Sequence, residues 1–96
     1  MIISIKHKVL KVFWTKGDKS KLPPNMMPKI ERVMSIIDDL EIVPDDLQDF
    51  IFLRPHPLKG NLKDFWAMDI SGSWRIIFKF DNQKGSAFDL DFIDYH

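Results

Sequence analysis

Apolar residues recur with a helical period in the first half of the chain and with a strand period in its last third. Residues 7–16 place Val9, Leu10, Phe13 and Trp14 at helical spacing, with Lys8, Lys11 and Thr15 mostly opposite, and Gly17 ends the pattern. A second helix is predicted from Ile30, Val33, Met34, Ile37 and Leu40, which form one apolar stripe, while Lys29, Glu31, Arg32, Ser35, Asp38 and Asp39 face away. Pro28 suits its first turn, where a missing N–H costs nothing. Residues 1–5, with Ile2, Ile3 and Ile5, read as a short strand, and residues 44–49 as a possible extra helical turn.

From residue 65 the period becomes two. Trp66, Met68 and Ile70 alternate with Ala67 and Asp69; Trp74, Ile76, Phe78 and Phe80 with Arg75, Ile77 and Lys79; Phe88, Leu90 and Phe92 with Asp89, Asp91 and Ile93. The links between them, Ser71-Gly72-Ser73 and residues 81–86, are short and rich in turn formers, so the strands should pair as an antiparallel meander. The expectation is an α+β domain spanning residues 1–96, of order β-α-α-β-β-β. Two N-terminal helices would pack on one face of a mainly antiparallel sheet.

Between the halves lies Arg54-Pro55-His56-Pro57-Leu58-Lys59-Gly60. Two prolines in seven residues exclude a regular helix or a central strand. Each proline also pushes the residue before it toward extended conformations, so Arg54 and His56 should have little backbone freedom. This is a stiffened loop bearing titratable groups.

Composition narrows the setting. The apolar fraction is 45% and cysteine is absent, so stability must come from packing, as suits a reducing cytoplasm. No apolar run approaches the 18 or so residues that span a bilayer, and the N-terminus lacks the apolar block of a signal peptide, so a soluble, unprocessed protein is expected. The formal net charge of zero conceals an asymmetry: residues 1–32 hold eight basic groups against two acidic, for +6, and the remainder six against twelve, for −6. A basic half points mildly to a polyanion or an acidic partner; a solvated basic helix face gives the same count.

If Trp74 points into the core, Arg75 lies on the open face of the meander's central strand, where its planar fork is suited to a phosphate or carboxylate. A cross-strand ion pair with Asp69, Asp89 or Asp91 is the commoner use of such an arginine. Asp94-Tyr95-His96 follow the last strand.

These residues together resemble a known family. His56-Pro57-Leu58-Lys59-Gly60, Phe65-Trp66, Ser73-Trp74-Arg75-Ile76 and Asp94-Tyr95-His96, with Ile5-Lys6-His7-Lys8 near the start, are similar to the HigB toxins, the plasmid maintenance killer branch of the RelE/ParE superfamily. The resemblance implies a RelE-like fold and a toxin of a type II toxin-antitoxin system. It further implies a cytoplasmic, ribosome-dependent endoribonuclease that cuts translated mRNA, needing no metal or cofactor and neutralised by a helix-turn-helix, HigA-like antitoxin. The toxin alone would not bind DNA or membranes. The family's functional positions fall on His56, Lys59, Arg75 and His96 as catalytic residues, and on Asp94 and Tyr95 as substrate-binding residues.

The residue types suit that chemistry. RNA carries its own nucleophile, the 2′-OH, so cleavage needs a base, an acid for the 5′-oxygen and cations for the charge that builds on phosphate. Lys59 and Arg75 supply the charge. His96 can exchange protons near neutral pH, His56 is the alternative acid or base, and which of the two takes which role stays open. The α-carboxylate expected on His96 would favour its imidazolium. Tyr95 offers a ring for base stacking, and Asp94 an orienting carboxylate. The product would end in a 2′,3′-cyclic phosphate, which DNA cannot form. A ParE-like toxin that inhibits DNA gyrase without cutting RNA is the alternative on the same fold; it would not need His56, Lys59, Arg75 and His96 together.

Overall fold

The computed structural model describes residues 1–95. His96 lies outside the described residues. Helix α1 (Lys8–Lys16) starts where His7 accepts a hydrogen bond at Nδ1 from the Leu10 N–H, 3.2 Å, and ends at Gly17. Gly17 has φ 74° and donates its N–H to the Phe13 carbonyl, 2.8 Å. Helix α2 (Met27–Asp39) begins with Pro28 in its first turn, as expected. The possible turn at residues 44–49 is longer than expected: a 3-10 segment, Asp45–Leu53, broken by non-helical dihedrals at Phe50.

The sheet has four strands in sequence order, all antiparallel: β1 (His56–Pro57), β2 (Trp66–Ser71), β3 (Trp74–Asp81) and β4 (Ser86–Asp94). Both helices pack on one face. Leu10, Phe13, Ile30, Val33, Met34 and Ile37 meet Met68, Ile76, Phe78, Leu90 and Phe92 there, all buried. Burying each such side chain contributes about 1.5–3 kcal/mol. The opposite face carries a smaller cluster of Leu58, Phe65, Ala67 and Ile77, with Leu62, Ile93 and Tyr95 partly buried against it. The segment between β1 and β2, which includes a 3-10 turn at Gly60–Leu62, folds across that face and roofs part of it.

Three expectations are corrected. The strand at residues 1–5 is reduced to two isolated parallel bridges beside β4, Ile2 to Ala87 and Ile5 to Leu90. A bulge interrupts the pairing: Asp89 has φ 54° and its N–H is taken by the Ser4 hydroxyl, 2.8 Å. The same bulge breaks the parity of β4. Ala87, fully buried, takes the helix-facing place expected of Phe88, which instead pairs with Lys79. Finally, Arg54 is not extended but left-handed, with φ 51° and ψ 51°. Its N–H closes the 3-10 segment on the Ile51 carbonyl, 2.8 Å, and that closure overrides the preference set by Pro55.

Candidate active site

The open face of the sheet gathers most of the residues named from sequence. β1 is an edge strand two residues long, where proline is tolerated because its missing N–H faces outward. Register places His56 opposite Ala67, and Ala67 opposite Ile77, so His56 belongs to the row that crosses the open face. Its Nδ1 lies 2.8 Å from the Arg54 carbonyl oxygen. A carbonyl only accepts, so this hydrogen bond needs the proton on Nδ1 and leaves the Nε2 lone pair of the neutral ring free for other work.

Arg75 lies in the next row, between Asp69 on β2 and Ile93 on β4. Of the three aspartates weighed as partners, Asp69 is the one it meets: Nε stands 2.8 Å from Asp69 Oδ1, with both side chains 16% exposed. The Nε–H is not aligned with that oxygen and has no hydrogen-bond partner among the described residues, so the contact is an ion pair. Nη1 donates to the carbonyls of Gly72, 2.6 Å, and Trp74, 3.0 Å. Nη2 is therefore the end of the fork left for a ligand.

Lys59 is exposed in the roofing segment, next to buried Leu58 of the small cluster. Its backbone is thus carried on the same side of the sheet as Arg75. Tyr95 packs against that cluster too, and its N–H donates to the Ser73 carbonyl, 2.8 Å. Asp94 alternates to the other side, opposite Trp74, where its carboxylate accepts from the Ser73 hydroxyl. The structure therefore joins His56, Arg75, Tyr95 and the Lys59 segment on one face and sets Asp94 at its margin.

Sequence reasoning gave no settled site role to four contributors, Asp69, Lys79, Lys6 and Ser73. Asp69 entered only as one of three partners, yet it also holds Arg54, whose Nε is 3.5 Å from Oδ2. Lys79 Nζ sits 5.0 Å and Lys6 Nζ 6.0 Å from the centre of the Phe65 ring, bringing two more cations toward the small cluster. The alternation of Lys79 with Phe78 and Phe80 already put it on the face of Arg75. Ser73, a turn former by sequence, clamps the end of β4 through both its carbonyl and its hydroxyl. Among the described residues no three His, Cys, Asp or Glu side chains are grouped to hold a metal ion, and no helix is long and apolar enough to cross a membrane.

A family model described as the RelE-like toxin of type II toxin-antitoxin system HigB matches residues 3–96. The chain belongs to the HigB-like toxin family. It is 36% identical over 96 residues, the whole of both chains, to the curated protein endoribonuclease HigB of Proteus vulgaris. The RelE-like α+β fold agrees with that membership, and a HigB-like toxin of a type II system has an antitoxin as its partner.

Proposed function

We propose that this HigB-like toxin is an endoribonuclease that cuts translated mRNA on the ribosome, without a metal, and that a HigA-like helix-turn-helix antitoxin restrains it in the cytoplasm. The observation that carries the reading is the full-length similarity to endoribonuclease HigB, in a chain that brings His56, Arg75 and Tyr95 to one sheet face beside the Lys59 segment. Gyrase inhibition has no support in the family match or in the relative's name.

The chemistry runs in one displacement. His56, its Nδ1 engaged by the Arg54 carbonyl, takes the 2′-OH proton at Nε2. The 2′-oxygen attacks the adjacent phosphorus, the bond from phosphorus to the 5′-oxygen breaks, and His96 as imidazolium protonates the departing oxygen. Lys59 and the Nη2 end of Arg75 meet the charge that grows on the phosphate oxygens. Tyr95 stacks on a base beside the cut. The products are a 2′,3′-cyclic phosphate and a 5′-hydroxyl.

A timed cleavage reaction on mRNA, with and without ribosomes, tests this when the 3′ ends are identified. Cutting only with ribosomes, leaving 2′,3′-cyclic ends, is expected. Inhibited supercoiling by gyrase with intact RNA would reverse the reading, and full activity in His96→Ala would remove His96 as the acid.

A further inference from the structure

Asp69 is one carboxylate shared by two guanidinium groups that are held unequally. Arg75 is 2.8 Å from it, 16% exposed, and anchored through Nη1 to two carbonyls. Arg54 stands 3.5 Å away with its side chain 79% exposed, and among the described residues no hydrogen bond engages its guanidinium. Two positive charges against one negative leave a positive charge over, and it resides on the arginine with the weaker hold.

The backbone of Arg54 belongs to the same assembly as His56. Its left-handed dihedrals, which residues with a β-carbon rarely adopt, turn the chain so that its carbonyl receives the His56 Nδ1–H at 2.8 Å. Asp69 is two residues along β2 from Ala67, the cross-strand neighbour of His56, so the carboxylate that the Arg54 guanidinium faces is carried by a backbone position two strand residues, ~7 Å, from the row of His56.

We infer that Arg54 is an RNA-binding residue whose guanidinium leaves Asp69 to take a backbone phosphate neighbouring the scissile one, while Asp69 stays with Arg75. The inference rests on the ribonuclease reading above. An exposed pair at this distance contributes little, so exchanging carboxylate for phosphate costs little. The fork of arginine matches two phosphate oxygens at once, which a carboxylate reached only through Nε does not exploit.

Single-turnover cleavage of mRNA on programmed ribosomes, run at increasing toxin concentration, separates half-saturation from the limiting rate. Arg54→Asn removes the cation with a residue that tolerates left-handed backbone, and raises the half-saturating concentration about tenfold, with the limiting rate within about twofold of wild type. Arg54→Lys, which keeps the charge but loses the fork, falls between. Lys84→Gln, an equal charge loss at the turn joining β3 and β4, changes neither constant. Unchanged half-saturation in Arg54→Asn overturns the inference, and so does a loss confined to the limiting rate, which would restrict Arg54 to holding His56. If wild type leaves mRNA intact on ribosomes, the ribonuclease reading falls; if wild type cuts and Arg54→Asn saturates like it, only this inference does.

Discussion

Asp69 Oδ1 stands 2.8 Å from Arg75 Nε across β2 and β3, in a pair that solvent reaches only slightly. The partner that the open strand face suggested for a phosphate-binding arginine is thus present, and it does not consume the arginine. Nη1 is committed to the turn carbonyls and Nε to Asp69, which leaves Nη2 directed by three restraints. Asp69 acts here as a positioning residue.

Asp69→Asn should therefore lower the limiting cleavage rate about fivefold, the equivalent of about 1 kcal/mol, by loosening Arg75. In an Arg75→Ala background the same change should do almost nothing, because the group it positions is gone. Additive effects in single-turnover rates would show that Asp69 acts through something other than Arg75. Arg75→Ala itself should depress the cleavage step more than association with ribosomes.

Acid stability should follow Asp46. Its Oδ2 accepts the N–H groups of Glu41, 2.7 Å, and Ile42, 2.9 Å, and these bonds hold its carboxyl below the ordinary 3.8. A group with a depressed folded-state pKa stabilises the fold above its unfolded value, and that contribution is lost as pH falls through the folded one. Urea unfolding at stepped pH should thus show stability declining below about pH 4. Asp46→Asn should flatten that part of the decline; an unchanged profile would assign it to other carboxylates.

The architecture was largely legible because two periods are visible in one chain: Ile30, Val33, Met34 and Ile37 could sit together only on a helix, and Ile76 and Phe78 only on a strand. Phe88 was misplaced because a bulge is set by one residue's backbone, Asp89 at φ 54°, and aspartate does not announce it. Arg54 was misjudged for a related reason, since the closure of a 3-10 segment on Ile51 outweighed a local proline rule. At the site, residue types identified His56, Lys59, Arg75 and Tyr95 by resemblance, and alternation placed Arg75. The sharing of Asp69 by two arginines needed three dimensions, because Arg54 and Asp69 are separated by a loop whose path the sequence does not specify.

Scaffold and site should separate at Asn82. Its Oδ1 accepts the Val43 N–H, 2.9 Å, and its Nδ2 donates to the Val43 carbonyl, 2.8 Å, tying the segment after α2 to the turn between β3 and β4. That turn is at the opposite end of β3 from Arg75. Asn82→Ala leaves both partly buried Val43 groups to find other partners, at a cost of about 1–3 kcal/mol by chemical denaturation. The single-turnover cleavage rate, measured well below the melting temperature, should stay within about twofold of wild type. A rate loss larger than the stability loss explains would couple the two ends of the sheet.

Tyr95 should divide binding from packing. Its ring is partly buried against the cluster of Leu58, Phe65, Ala67 and Ile77, and its N–H is held by Ser73, so its position is fixed by the sheet and by the roofing segment at once. If its exposed surface stacks on an RNA base, removal costs about 1–3 kcal/mol of binding, or roughly 5- to 150-fold in half-saturating concentration. Tyr95→Ala also strips packing from the small cluster and should lower the melting temperature. Tyr95→Phe keeps the ring and should retain both stability and affinity. The pair therefore distinguishes a stacking platform from a phenol that handles protons: if Tyr95→Phe matches wild type in half-saturation but loses the limiting rate, the hydroxyl takes part in the proton transfers assigned above to His56 and His96.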